Sequence, residues 1–270
     1  MDDTKIITVY CIIDDVMAKL GYHSHTLARV SDAEVLTVAV VSAMYFQNHH
    51  KRALQMMEKL RYITKPLSVS RFNRRAHRLA HWLEYTLHLL GQVFSTGETF
   101  IIDSMPLPVC KRKRSYRCRK VQGREYCGYC AAKGEKYFGW KLHLVCTPDG
   151  VPVAFDMRPA SYHDLTPVHE LTVGLCPGAH VYADKAYNST PDEGSILSDT
   201  GVCLVPQRRA NMRPNSFEER AGLKEYRRTI ETVNSQLEKM GIQRLYARTN
   251  SGFALKVLAS LLALLSTNLN

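Results

Sequence analysis

Residues 95–110, Ser95-Thr-Gly-Glu-Thr-Phe-Ile-Ile-Asp-Ser-Met-Pro-Leu-Pro-Val-Cys110, mark where the chain stops reading as helix and starts reading as sheet. Ser95-Thr-Gly97 interrupts a helical pattern. Residues 99–102 are a β-branched and aromatic run that fits a pleated surface and ends in Asp103. Pro106 and Pro108 lack backbone donors, so the spacing predicts a short strand that stops before them.

Beyond this stretch, strand and helix signals alternate. Residues 137–147 and 151–157 read as strands separated by Pro148-Asp149-Gly150, a hairpin turn by composition. A helix over about 165–173, a strand over 179–183 ending at Asp184, a helix near 192–199 and a strand over 202–206 follow. That alternation predicts a mixed sheet in an α/β fold. Residues 218–240 read as one long charged helix, and 253–269 as an apolar terminal helix that should pack against the sheet.

Before residue 95 the pattern is all-α. Ser31-Asp-Ala-Glu34 is a capping box, and an apolar run follows it to Phe46. A second helix, about 49–62, ends before Pro66. Ser68 opens a third that runs to about 90, with Phe72, Ala76, Leu79, Leu83 and Leu87 on one stripe and Arg71, Arg74, Arg75 and Arg78 largely off it. A short turn followed by an arginine-studded helix fits a DNA-reading helix-turn-helix. It fits equally a solvated basic face on a bundle helix.

The chain has 270 residues, 45% of them hydrophobic, enough for a sizeable core, and it is not a low-complexity chain. Lys and Arg total 36 against 25 Asp and Glu, a net charge of +11 that favours a polyanionic partner, nucleic acid first. The most apolar stretches, 35–46 and 253–265, run about a dozen residues, short of the ~18–20 a membrane span needs. The N-terminus, Met1-Asp-Asp-Thr-Lys5, is acidic where a signal peptide would be basic, so a cytoplasmic location is expected, with the eight cysteines as thiols or metal ligands.

Three acids occupy comparable settings. Asp103 and Asp184 each end an apolar strand, and Glu231 sits mid-helix in Arg227-Arg-Thr-Ile-Glu231. Carboxylates at neighbouring strand ends lie in the crevice where an open sheet binds ligands, and a third from a packed helix would complete a cage for hard divalent cations. Two such ions about 4 Å apart serve an in-line phosphoryl displacement. Taken singly, an Asp at a strand end is more often a turn former.

The blocks Ile102-Asp-Ser-Met-Pro-Leu-Pro-Val-Cys110, Tyr137-Phe-Gly-Trp-Lys-Leu-His-Leu144, Pro159-Ala-Ser-Tyr-His-Asp164, Asp184-Lys-Ala-Tyr187 and Arg227-Arg-Thr-Ile-Glu231 occur in an order that resembles the DDE transposases of bacterial insertion sequences, and within them insertion-sequence family 982. The resemblance covers about residues 95–265. It implies an RNase H-like catalytic domain, 96–270, after an all-α, DNA-binding region, 1–95. It further implies Asp103, Asp184 and Glu231 as the catalytic and metal-binding acids, with two Mg²⁺ (or Mn²⁺). The acids are 81 and then 47 residues apart, which leaves no room for a large insertion before the glutamate. Related groups carry a tyrosine seven residues before the glutamate, an arginine four before and a lysine seven after. Here Lys224, Arg227 and Glu238 hold those positions, with Tyr226 displaced, Arg228 beside Arg227, and Lys239 beside Glu238.

The loop 111–135 opens with Lys111, Arg112, Lys113, Arg114, Arg117, Arg119 and Lys120, seven basic residues in ten. It suits sequence-tolerant, salt-dependent contact with DNA phosphates, and also reads as a plain solvated loop. His163 and Asp164 follow the third strand and suit an auxiliary role at the acids, while capping of the next helix explains Asp164 without chemistry. His143 reads as a satisfied core residue. Cys110, Cys118, Cys127 and Cys130 offer four thiolates in one segment, as a structural Zn²⁺ would need, although only one C-x2-C pair is present. Cys11, Cys146, Cys176 and Cys203 read as buried small hydrophobes.

These features together predict an enzyme that cuts at mobile-element ends and joins the 3′-hydroxyl to target DNA. The resemblance implies double-stranded DNA (terminal inverted repeats and target) and a second copy in a homodimer as partners, with no membrane, in a bacterial cytoplasm. An RNase H-fold endonuclease without strand joining and a non-catalytic, zinc-stapled DNA-binding module are the alternatives.

Overall fold

The computed structural model describes residues 1–269. In chain order the elements are α1 (Asp3–Lys19), α2 (Asp32–Phe46), α3 (His50–Lys59), α4 (Val69–Phe94), β1 (Thr99–Lys111), β2 (Cys127–Cys130), β3 (Glu135–Cys146) and β4 (Pro152–Pro159). They continue with α5 (Val168–Thr172), β5 (His180–Ala183), α6 (Thr190–Thr200), β6 (Cys203–Pro206), α7 (Phe217–Lys239) and α8 (Asn250–Asn268). Contacts group Met1–Leu89 with the stretch from Gln236 onward into one compact unit, and Leu90–Ser235 into another. A single cut after residue 95 differs from this grouping over residues 90–95 and from Gln236 onward.

In the helical unit, Ser31 caps α2 as its sequence predicts: its hydroxyl accepts from the Glu34 N–H, and the Glu34 carboxylate accepts from the Ser31 N–H. The α4 stripe of Phe72, Ala76, Leu79, Leu83 and Leu87 is buried throughout. Truncating Phe72 to Ala would cost ~3–5 kcal/mol. The terminal helix corrects an expectation. α8 packs on α2 and α1, not on the sheet, because an all-round apolar helix has no stripe to select a partner and α2 is itself apolar on every side. By length and composition α8 would suffice to cross a membrane, and 72% of that window is buried inside the protein, as in any core helix.

The connection from α3 to α4 spans nine residues, 60–68, where a helix-turn-helix uses three or four. The pair therefore lacks the helix-turn-helix geometry that the arginine spacing suggested.

The second unit is a six-stranded mixed sheet. β3 pairs antiparallel with β1 on one side and with β4 and β2 on the other, while β5 and β6 continue from β1 in parallel. The order β4-β3-β1-β5-β6, with helical crossovers between the parallel strands, is RNase H-like. Phe100, Ile102, Val145, Val181 and Leu204 form one apolar cluster with Val168 and Leu171 of α5 and Ile196 of α6.

β1 is far longer than its prolines suggested. β5 pairs only with residues 99–101, so Pro106 and Pro108 lie where β1 has β3 on one side and no β5 on the other, and a missing donor can face the open side. The register shifts between Pro108 and Cys110, and there β3 passes so close that a Cβ on Gly139 would stand 2.4 Å from the Leu107 carbonyl oxygen.

Candidate active site

The register of β1 and β5 decides which acids meet. Ile101 pairs with Tyr182, and side chains alternate along a strand. Asp103, two residues past Ile101, and Asp184, two past Tyr182 in extended backbone, are therefore directed to the same face. α7 lies against that face. The missing Cβ of Gly222 makes room for the Tyr182 ring, which a side chain there would meet at 2.6 Å. Tyr226, one turn on, packs its ring 5.0 Å from that of Tyr182. Thr229 Oγ1 donates to the Pro148 carbonyl at 3.0 Å, and Asn234 Nδ2 donates to Asp103 Oδ2 at 2.8 Å.

Asp103 is half-buried, and its carboxyl is pushed up to about 6. Burial is the main cause and the charges of Asp184 and Asp164 add to it, while hydrogen bonds from Asn234 and the Ser104 backbone pull the other way. Asp184 is held above the ordinary carboxylate range by burial and by Asp164, opposed by the bond its Oδ1 accepts from the Ala186 N–H at 2.7 Å and by the charge of Arg227. Two carboxylates directed to one face and held above their ordinary range mainly by burial suit a divalent cation.

The third expected acid stands differently. Glu231 is 63% exposed and accepts a 2.9 Å bond from Arg227 Nε, one turn earlier on α7. Arg227 is thus tied to Glu231 while its charge reaches Asp184. Among the described residues no group of three or more His, Cys, Asp or Glu stands close enough to share one metal ion. Asp103 and Asp184 fit as a cation pair, and Glu231 is at their margin through Arg227.

Of the auxiliary residues, the structure brings in one. Asp164 does not cap a helix: α5 starts behind Pro167 without a side-chain cap, and Asp164 instead accepts from Ser104 Oγ and Lys141 Nζ. His163 turns to its own loop, where its Nδ1 accepts from the Leu165 N–H at 3.3 Å, and lines a cavity of about 370 Å³ with His169, Asp192 and Ile196. His143 is fully buried, yet neither ring nitrogen has a partner, so it is not the satisfied core residue its strand position suggested. Burial holds its imidazole neutral, down to about 4.

The four candidate zinc cysteines are not gathered. Cys110 and Cys127 flank Phe138 on opposite sides in the ladder, and Cys127 and Cys130 are three apart on one strand, which alternation sends to opposite faces. Cys110 lies beside Cys118. All eight cysteines are free thiols, and Cys11, expected inside, is exposed.

The basic residues fall in two places. Lys111, Arg112, Lys113, Arg114, Arg117 and Arg119 are exposed on and around a short 3-10 turn, and Lys120 is half-buried beside them. In the helical unit, Arg71, Arg74, Arg75 and Arg78 line a concavity of about 930 Å³ together with Arg29, which no sequence pattern marked. Arg75 is committed there to Asp32, to which its Nε donates at 3.0 Å, so it is not a free phosphate contact. Arg228 is exposed, and Lys239 closes α7 in the helical unit. Of the residues that sequence reasoning missed, Ser104 and Lys141 sit within motif blocks and Asn234 three residues after one, but all owe their placement to partners far along the chain.

The solved structures that this chain is similar to include the Mos1 transposase paired-end complex with the left transposon end (13% identity over 83% of this chain and 82% of that one, TM-score 0.26). They also include the Mos1 strand transfer complex (13% identity, 86% and 85%, TM-score 0.25). No curated protein matches the chain. The family described as "Transposase DDE domain" matches residues 94–249, more than half of the chain, including Asp103, Asp164, Asp184 and Glu231. The chain belongs to the DDE-domain transposases.

Proposed function

We propose that this DNA transposase cuts the ends of a bacterial mobile element of insertion-sequence family 982 and joins the freed 3′-hydroxyl to target DNA, using Asp103, Asp184 and Glu231 with two Mg²⁺ or Mn²⁺ ions. The observation that supports the reading most is the convergence of Asp103 and Asp184 on one sheet face under α7, with Asn234 bonded to Asp103. The bound cations would supply Lewis-acid stabilisation of the phosphoryl oxygens and lower the cost of deprotonating the attacking oxygen.

The chain's own residues bind, orient and hold charge. Asn234 and the Ser104 N–H orient the Asp103 carboxylate, which would hold a cation. The Ala186 N–H does the same for Asp184. Glu231, three residues before Asn234 on the same helix face, is the third acid, and Arg227 pairs with it at the solvent edge. The exposed basic residues 111–120 and the arginine-lined concavity of the helical unit carry the DNA backbone. Processing two element ends together calls for a homodimer. No covalent enzyme–DNA intermediate is required.

Incubating labelled element ends with the protein and Mg²⁺, and scoring nicks and joined products separately, tests this. Nicks without joined products would replace the transposase reading with that of an endonuclease.

A further inference from the structure

Asp164, on the connection between β4 and α5, is engaged twice through one oxygen. Ser104 Oγ donates to Oδ1 at 2.8 Å, and Lys141 Nζ donates to the same atom at 2.9 Å. Lys141 Nζ also donates to the Tyr162 carbonyl at 2.9 Å, so one ammonium and one carboxylate tie the connection to both β1 and β3. The pair is well covered, its side chains 18% and 19% exposed. Burying such a pair is expensive unless its geometry is good and its remaining positions are bonded.

Its surroundings are polar where packing alone would favour apolar groups. Ile102 and Val145 face α5 and α6 in the core cluster, but the next row on that same face is Ser104, His143 and Asp156, in register across three strands. His143 is fully buried with both nitrogens unpartnered, and the buried Tyr187 hydroxyl lies against Ser104. Such a row costs stability, and the place where it occurs is one residue from Asp103.

Charge counting gives the row a purpose. Asp164 lies within electrostatic range of both Asp103 and Asp184. Asp103, Asp184 and Asp164 with the Lys141 ammonium sum to −2, Arg227 and Glu231 cancelling as a pair, and that net negative charge favours divalent cations. Without Lys141 the sum is −3, and Asp164 becomes a competing ligand. Without Asp164 it is −1, with an unpaired ammonium opposing the cation.

We propose that Asp164 is a positioning residue of the transposition site: it fixes Ser104, and through that residue's backbone Asp103, while Lys141 serves as its counter-ion and keeps it out of the cation's coordination. The proposal rests on the reading of Asp103 and Asp184 as cation-binding acids.

The test is titration of the full chain with Mn²⁺ alone by isothermal calorimetry, with melting curves for each variant. Asp164→Asn should weaken Mn²⁺ binding by ~10-fold or more. Lys141→Met should leave it equal or tighter, and the double variant should return to within about 3-fold of the parent. A purely structural contact would instead weaken both single variants alike, and that result overturns the proposal. So does unchanged affinity in Asp164→Asn when Asp103→Asn loses binding. If Asp164→Asn does not fold, Ser104→Ala decides: weaker Mn²⁺ binding restored by Ser104→Thr supports the positioning role, and unchanged binding overturns it. If Asp103→Asn and Asp184→Asn bind Mn²⁺ as the parent does, the underlying reading has failed, and the proposal with it.

Discussion

Asn234 of α7 donates its amide to Asp103 of β1 at 2.8 Å, across 131 residues of sequence, and so fixes the half-buried acid of the site from the helix that also carries Glu231. The bond favours the ionised form of Asp103 against a burial cost that favours the neutral one. Asn234→Ala should therefore raise the Asp103 pKa further and weaken Mn²⁺ binding by ~10-fold, as loss of an outer-shell partner does. Mn²⁺ titrations of both proteins between pH 5 and 8 check this, and the variant's binding curve should be displaced to higher pH.

Asp103 also makes the metal-free fold pH-sensitive, with a definite sign. Its carboxyl is raised from 3.8 to about 6, so ionising it costs the folded state more than the unfolded one. The penalty is absent below pH ~4, grows between about 4 and 6, and is complete above. Its ceiling is ~3 kcal/mol at 1.36 kcal/mol per unit. Asp103→Asn, inactive by the present account, should consequently be more stable than the parent at pH 7.5 without metal, by ~1–3 kcal/mol, and equally stable near pH 4. Urea unfolding at the two pH values measures the difference, and a variant less stable at pH 7.5 contradicts the assigned burial.

Arg227 pairs with Glu231 at the solvent edge, 70% and 63% exposed, so the pair itself contributes only ~0.3–0.5 kcal/mol. Its charge also steadies ionised Asp184. Arg227→Ala should thus leave the melting temperature nearly unchanged while lowering strand cleavage by ~10-fold or more, a split that parallel melts and cleavage assays resolve.

Lys111, Arg112, Lys113 and Arg114 are exposed on the loop after β1. If all four neutralise phosphates, changing them to Gln should reduce the slope of log K against log salt for double-stranded DNA by ~3–4. Fluorescence anisotropy between 50 and 200 mM salt reads that slope, and an unchanged slope assigns the loop to solvent.

Much of the site was legible because its carriers are local. An apolar run ending in Asp announces a strand end, so Asp103 and Asp184 could be found from residues 99–103 and 179–184 alone, and the alternation of 3.6- and 2-residue periods revealed the sheet. What was hidden depended on partners distant in sequence. Asp164 looked like a helix cap because Ser104 and Lys141 lie 60 and 23 residues away. Pro106 and Pro108 shortened β1 on paper because nothing local says that β5 stops at Ile101. The zinc reading failed on alternation, since a C-x2-C on a strand separates the thiols that a turn would gather. α8 went to the wrong layer because an apolar helix without a stripe does not name its partner.

The central claim is that Asp103 and Asp184 hold the cations that drive cutting and joining of DNA ends. The most direct measurement uses labelled element ends with Mg²⁺, comparing the parent with Asp103→Asn and Asp184→Asn for DNA binding, nicking and strand joining in one experiment. The account predicts near-parental DNA binding by both variants with nicking and joining reduced by at least ~10³-fold. Full joining activity in either variant would contradict it.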